Sequence, residues 1–125
     1  MELLTKEIKK ALRLFPLYST EDIYISNKVF ICKFFNPCGA GNWYVCEGEP
    51  VDGSMPDDDW EFFGMVDLGM GQDWGYFRLS DLKGYTSANG SGIQLDTHFK
   101  NESAYSYVAP WALDGTRSRH ETRSQ

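Results

Sequence analysis

Two runs rich in β-branched and aromatic residues, Val29 to Phe35 and Trp43 to Glu47, flank a dense cluster of turn formers, Asn36-Pro37-Cys38-Gly39-Ala40-Gly41-Asn42. Branched and aromatic side chains suit a pleated surface, and the Asn, Pro and Gly residues between them suit a reversal of the chain, so the segment reads as a hairpin. A turn symmetric about Gly39 sets Phe34 opposite Tyr44 and Cys32 opposite Cys46 on one face, with Phe35 opposite Trp43 and Lys33 opposite Val45 on the other. A slip of one pairing exchanges the faces.

Further strands follow. An acidic, Gly- and Pro-bearing loop from Gly48 to Asp59 leads to Trp60 to Val66, where Phe62, Gly64 and Val66 alternate with Glu61, Phe63 and Met65. Both faces of that strand look partly covered. A Gly-rich turn through Leu68 to Asp73 opens onto a fourth strand, Trp74 to Leu79. Ser80-Asp81-Leu82-Lys83 then reads as a capped helical turn ended by Gly84, and Ile93 to Phe99 as a short edge segment. At the N-terminus Leu4, Ile8, Ala11 and Leu12 recur at helical spacing, opposite Lys6, Glu7, Lys9, Lys10 and Arg13. This predicts an amphipathic helix from Thr5, its cap, to about Leu14, stopped by Pro16. The expected fold is α+β: an N-terminal amphipathic helix packed on a small antiparallel meander sheet of four to five strands. One domain over 1–113 and a polar tail over 114–125 are expected, since 125 residues is the usual size of one domain.

Charge is segregated along the chain. Between Lys33 and Arg78 there is no Lys or Arg, whereas Glu47, Glu49, Asp52, Asp57, Asp58, Asp59, Glu61, Asp67 and Asp73 all lie there. Positive charge gathers in the first helix and in Arg117, Arg119 and Arg123, and the net charge is −6. Such a field repels nucleic-acid phosphates and attracts basic surfaces. The candidate interaction surface is therefore Glu47, Glu49, Asp52, Asp57, Asp58, Asp59 and Glu61, and the expected partner is a protein with a basic surface. Direct binding to nucleic acid is not expected: the aromatic strands could stack bases, but they are interleaved with Asp and Glu rather than with cations.

No apolar run approaches the length needed to cross a bilayer, and charged residues occupy the place of a signal peptide's apolar block, so a cytoplasmic protein without membrane contact is expected. Cys32, Cys38 and Cys46 then read as reduced thiols, mostly small buried hydrophobes. No metal or other cofactor is expected. A zinc site wants tighter cysteine spacing, and Asp57-Asp58-Asp59 lacks the alternating ligands of a calcium loop. No signature of a metalloprotease, serine hydrolase, P-loop or dinucleotide site is present. Asp96 and His98, two apart, are the place where an imidazole could be tuned by a carboxylate.

Several blocks, taken in order, resemble a bacterial domain of unknown function, number 2958. They are Leu3-Leu4-Thr5-Lys6-Glu7-Ile8, Pro16-Leu17-Tyr18-Ser19-Thr20-Glu21, Lys33-Phe34-Phe35-Asn36-Pro37, Trp43-Tyr44-Val45-Cys46-Glu47, Phe62-Phe63-Gly64-Met65-Val66 and Gly75-Tyr76-Phe77-Arg78-Leu79-Ser80-Asp81-Leu82. The likeness covers Met1 to about Phe99 and departs over Tyr85 to Gly90 and after Phe99. It implies a small protein of plasmids, phages and integrated elements. It brings no established activity, but favours an inhibitor or adaptor acting on host nucleic-acid enzymes. It also puts Tyr18, Glu21, Tyr44 and Glu47 forward as a candidate pocket. The expected function is that of a non-enzymatic interaction or anti-defence accessory factor acting through an acidic surface. The alternative is a small-ligand binder or enzyme with a pocket on the sheet, to which His98 would also contribute.

Overall fold

The computed structural model describes residues 3–52, 59–85 and 90–99, together with the backbone of Glu102 and Ser103. Asp57, Asp58 and the tail from 114 onward lie outside the described residues.

The chain opens with helix α1, Lys6–Leu12, capped where Ile8 N donates to Thr5 Oγ1 at 3.2 Å. It is shorter than its pattern predicts. After Leu12 the amides of Leu14 and Phe15 turn back three residues, to Ala11 and Leu12 carbonyls, so the helix tightens and ends before Pro16. A loop and a single 3₁₀ turn, Ile25–Asn27, lead into strands β1, Val29–Phe30, and β2, Cys32–Phe35. Strands β3, Asn42–Pro50, β4, Trp60–Asp67, and β5, Gln72–Arg78, continue the meander, followed by helix α2, Leu79–Lys83. Two short strands close the described chain, β6, Gln94–Leu95, and β7, Glu102–Ser103.

The main sheet is antiparallel and five-stranded, in the order β5-β4-β3-β2-β6, and β1 pairs separately with β7. The α+β class and the four-strand meander with an added edge segment therefore stand. The hairpin register does not follow the expected one: Cys32 pairs with Val45, Lys33 with Tyr44, Phe34 with Trp43 and Phe35 with Asn42. The reason is the turn. Asn36 N donates to Gly41 O at 2.9 Å and Asn36 Oδ1 accepts from Cys38 N, which draws Asn42 into the strand and moves the axis off Gly39.

Alternation along β4 divides the core in two. Trp60 and Phe62 join Phe34, Val45, Phe77, Leu79, Leu82, Leu4 and Leu12 on one face, where both helices pack. Phe63 and Met65 join Ile25, Phe30, Tyr44 and Cys46 on the other, beneath the loop that follows α1. Each fully buried side chain of this size contributes about 1.5–3 kcal/mol, so covering both faces supplies a core without disulfides. One irregularity decides what the second face carries. The pairing of β3 with β4 shifts between Val45 and Glu47, leaving Cys46 as an extra residue. Simple alternation would set Glu47 on the face of Val45; the bulge turns it onto the face of Tyr44 and Phe63, its new partner.

Candidate functional site

Glu47 is fully buried, so it is not part of the exposed acidic surface expected for it. A buried carboxylate must be compensated by hydrogen bonds, and here the loop after α1 supplies them. Tyr18 N donates to Glu47 Oε1 at 2.9 Å, Thr20 N donates to Oε2 at 3.0 Å, and the Thr20 hydroxyl donates to the same Oε2. Lys28, also fully buried, donates from Nζ to Thr20 O at 2.7 Å and to Thr20 Oγ1 at 3.0 Å, and lies 5.9 Å from the centroid of the Phe63 ring. Next to this network Leu17 N donates to Glu49 Oε1 at 3.1 Å and Gly48 N to Phe15 O at 3.0 Å. The loop over 15–20 is thus strapped to β3.

The strap holds an unusual conformation. Tyr18 has φ of +72°, a left-handed backbone that a bulky residue avoids at a cost on the order of 1–3 kcal/mol. The carboxylate of Glu47 on its amide keeps it there. As a result the Tyr18 ring lies outside the core, 51% exposed, with its centroid 6.1 Å from that of Tyr76, itself 42% exposed. Tyr76 in turn meets the buried Phe63 edge-on at 5.3 Å. On the same face Glu49 pairs directly with Glu61, whose neighbour on β5 is Arg78. Among the described residues, none of these three side chains forms an ion pair.

The other candidate residues are placed differently. Glu21 closes a backbone turn onto Tyr18 O, and the Tyr44 ring packs on Phe30 and Phe99 under Lys33 Nζ. Of the candidate pocket, then, Tyr18 and Glu47 meet, through the Tyr18 amide. Burial, and secondarily the carboxylates of Asp67 and Asp96, raises the Tyr44 pKa and keeps its phenol protonated. Asp59 accepts from Trp60 N, Ser80 N and the Ser80 hydroxyl, each at 3.0 Å, which makes it a cap for α2. Asp52 is exposed and Glu61 partly so. Asp96 receives the backbone amide of His98 at 2.9 Å, a local turn rather than an imidazole pair, and its other oxygen is 3.5 Å from Lys33 Nζ. These residues border a cavity of about 310 Å³ with Phe35, Asn42 and Gln94. Among the described residues no three His, Cys, Asp or Glu side chains gather to hold a metal ion, and no helix is long and apolar enough to cross a membrane.

Sequence reasoning missed Thr20 and Lys28 as the centre of the charged network. Thr20 carries a signal, lying in the same block as Tyr18, but nothing local to Asn27-Lys28-Val29 marks the lysine as buried. The thiols are separable by exposure: Cys38 is exposed, Cys46 is buried with Sγ 3.4 Å from Phe63 O, and burial raises the pKa of Cys32 far above the ordinary thiol range. In the native protein a maleimide is expected to label Cys38 alone, with Cys32 and Cys46 reacting only after denaturation; mass spectrometry of the labelled chain checks this.

No curated protein and no solved structure matches this chain. A family model does, over residues 3–117, which carries the likeness past Phe99 into the stretch read from sequence as an extension. Its description is a protein of unknown function, DUF2958, and the chain belongs to that family.

Proposed function

We propose that this protein is a non-enzymatic interaction factor of a mobile genetic element, an anti-defence accessory that meets a basic protein partner through its acidic surface. The observation that carries the reading is the opposition of Glu49 and Glu61 across β3 and β4. Like charges directly opposite in a sheet repel, and among the described residues no ion pair relieves them. A cationic partner would. With Asp52 exposed nearby in sequence and no Lys or Arg between Lys33 and Arg78, the field over this region attracts basic surfaces. The mobile-element setting comes from the family resemblance.

The rival reading, an enzyme or ligand site built on Glu47 and Tyr44, has less support. Both oxygens of Glu47 are occupied by the loop it anchors, and the Tyr44 ring packs on Phe30 and Phe99 rather than meeting Glu47 in a shared cavity. The test uses a partner captured from the host and then purified. Reversal of Asp52 and Glu61 to lysine is expected to weaken its binding by at least about tenfold, with affinity falling steeply between about 50 mM and about 500 mM salt. Affinity that ignores both the reversal and the salt would rule the acidic surface out.

A further inference from the structure

We infer that Tyr18 and Tyr76, with the carboxylates of Glu49 and Glu61 beside them, form a seat for an arginine side chain of a basic partner. The inference rests on the acidic-surface reading and names the chemistry it would recognise. Four observations support it. The two rings are exposed and adjacent, with Tyr76 resting edge-on over the buried Phe63. Tyr18 leaves the core through a left-handed backbone fastened by the Glu47 network, which directs its side chain outward, beside Tyr76. Glu61 lies diagonal to Tyr76 on one face of the sheet, and Glu49 is tied by Leu17 N to the loop that carries Tyr18, which brings two acidic groups to the edge of the aromatic pair. Arg78, directly opposite Glu61 on β5, is exposed and forms no ion pair among the described residues, so Glu61 and the Glu49 oxygen not held by Leu17 N have no cationic partner among them.

A guanidinium satisfies this set better than an ammonium does. It is planar and weakly hydrated, stacks on tyrosine faces, and its forked donors match carboxylate oxygens, whereas lysine presents a compact, strongly hydrated charge. The surface should therefore distinguish arginine from lysine at equal charge, which a purely electrostatic acidic patch would not.

The probes are labelled oligoarginine and oligolysine peptides of equal length, titrated with the full chain and followed by fluorescence anisotropy at low salt. The arginine peptide is expected to bind at least about threefold tighter than the lysine peptide. Tyr76→Ala should weaken the arginine peptide by about tenfold and the lysine peptide much less, and Tyr76→Phe should restore the preference because the ring is what acts. Tyr18→Gly, which keeps the left-handed backbone and removes the ring, should match Tyr76→Ala. Arg78→Gln should tighten both peptides by removing the competing cation, and thermal melts confirm that each variant is folded. Equal binding of the two peptides, unaltered by Tyr76→Ala and Tyr18→Gly but still abolished by salt, overturns the arginine seat and leaves the acidic-surface reading standing. Failure of both peptides to bind at low salt overturns both readings.

Discussion

The Gly64→Ala variant is expected to lose at least about 4 kcal/mol of stability, a large share of the roughly 5–15 kcal/mol that holds a domain folded. A Cβ on Gly64 would collide with the Tyr44 carbonyl oxygen, lie 2.8 Å from the Tyr44 carbonyl carbon and 3.1 Å from Val45 Cα. Every one of these is backbone of the neighbouring strand, so no rotamer change makes room. The cause is the bulge: Gly64 pairs with Val45, the last residue before β3 gains its extra position at Cys46, and the strands approach closely there. Gly75 provides the control. It pairs with Gly64 on β5, yet a Cβ on it would meet nothing within 4 Å. Gly75→Ala should change stability by less than about 1 kcal/mol. Urea denaturation followed by tryptophan fluorescence measures both, and similar midpoints for the two variants would show that β3 and β4 are not in such close contact.

Loss of the Glu47 carboxylate is the second large effect. Glu47→Ala leaves the amides of Tyr18 and Thr20 and the Thr20 hydroxyl without their acceptor, in the neighbourhood of a fully buried lysine. Breaking a buried charged network by removing one member costs about 3–5 kcal/mol, because the remaining polar groups stay desolvated. Glu47→Gln retains an acceptor but offers one oxygen where two are used, and is expected to cost about 1–3 kcal/mol. Denaturation midpoints give the ranking, and limited proteolysis locates the damage, with new cleavage expected in the loop between Phe15 and Ile23. If Glu47→Ala were to cost less than about 1 kcal/mol, the carboxylate would not be what fastens this loop. For the same reason Glu47 is a poor position at which to probe partner binding. Its loss would displace Tyr18 whether or not Tyr18 touches a partner.

Local chemistry carries the parts of the fold that the sequence makes legible. Thr5 caps α1, and Leu79–Lys83 form the short helix that Ser80, Asp81 and Gly84 announce. The aromatic and branched runs of β2 to β5 become neighbouring strands in chain order, as consecutive segments tend to, whereas β6 returns from far along the chain to pair with β2. Where two local solutions have nearly the same energy, the sequence stops deciding. The hairpin about Gly39 differs from the observed one by a single pairing, and the side-chain bonds of Asn36 tip the balance.

For the candidate site the division is sharper. The segregation of carboxylates from cations can be read directly from residue order, and so can the blocks that contain Tyr18, Glu47 and Tyr76. What a carboxylate does in the fold cannot. Glu47, Asp59 and Glu61 look alike in sequence, yet one is a buried anchor for the loop over 15–20, one caps a helix 21 positions downstream, and one faces outward beside Glu49.

The sequence by itself determined the α+β class, the order of the meander strands and the acidic balance of the middle of the chain, since each follows from side-chain type and short-range periodicity. Only the tertiary structure decided which face Glu47 takes, through one extra residue in β3 whose position depends on pairing with a strand more than a dozen residues away. That single shift sends a charge inward to meet Thr20 and the loop above it, and so sets Tyr18 against Tyr76 at the surface. A period of two along a strand is a local property, but a bulge exists only relative to a partner, and that is why its consequences lie beyond the reach of residue order.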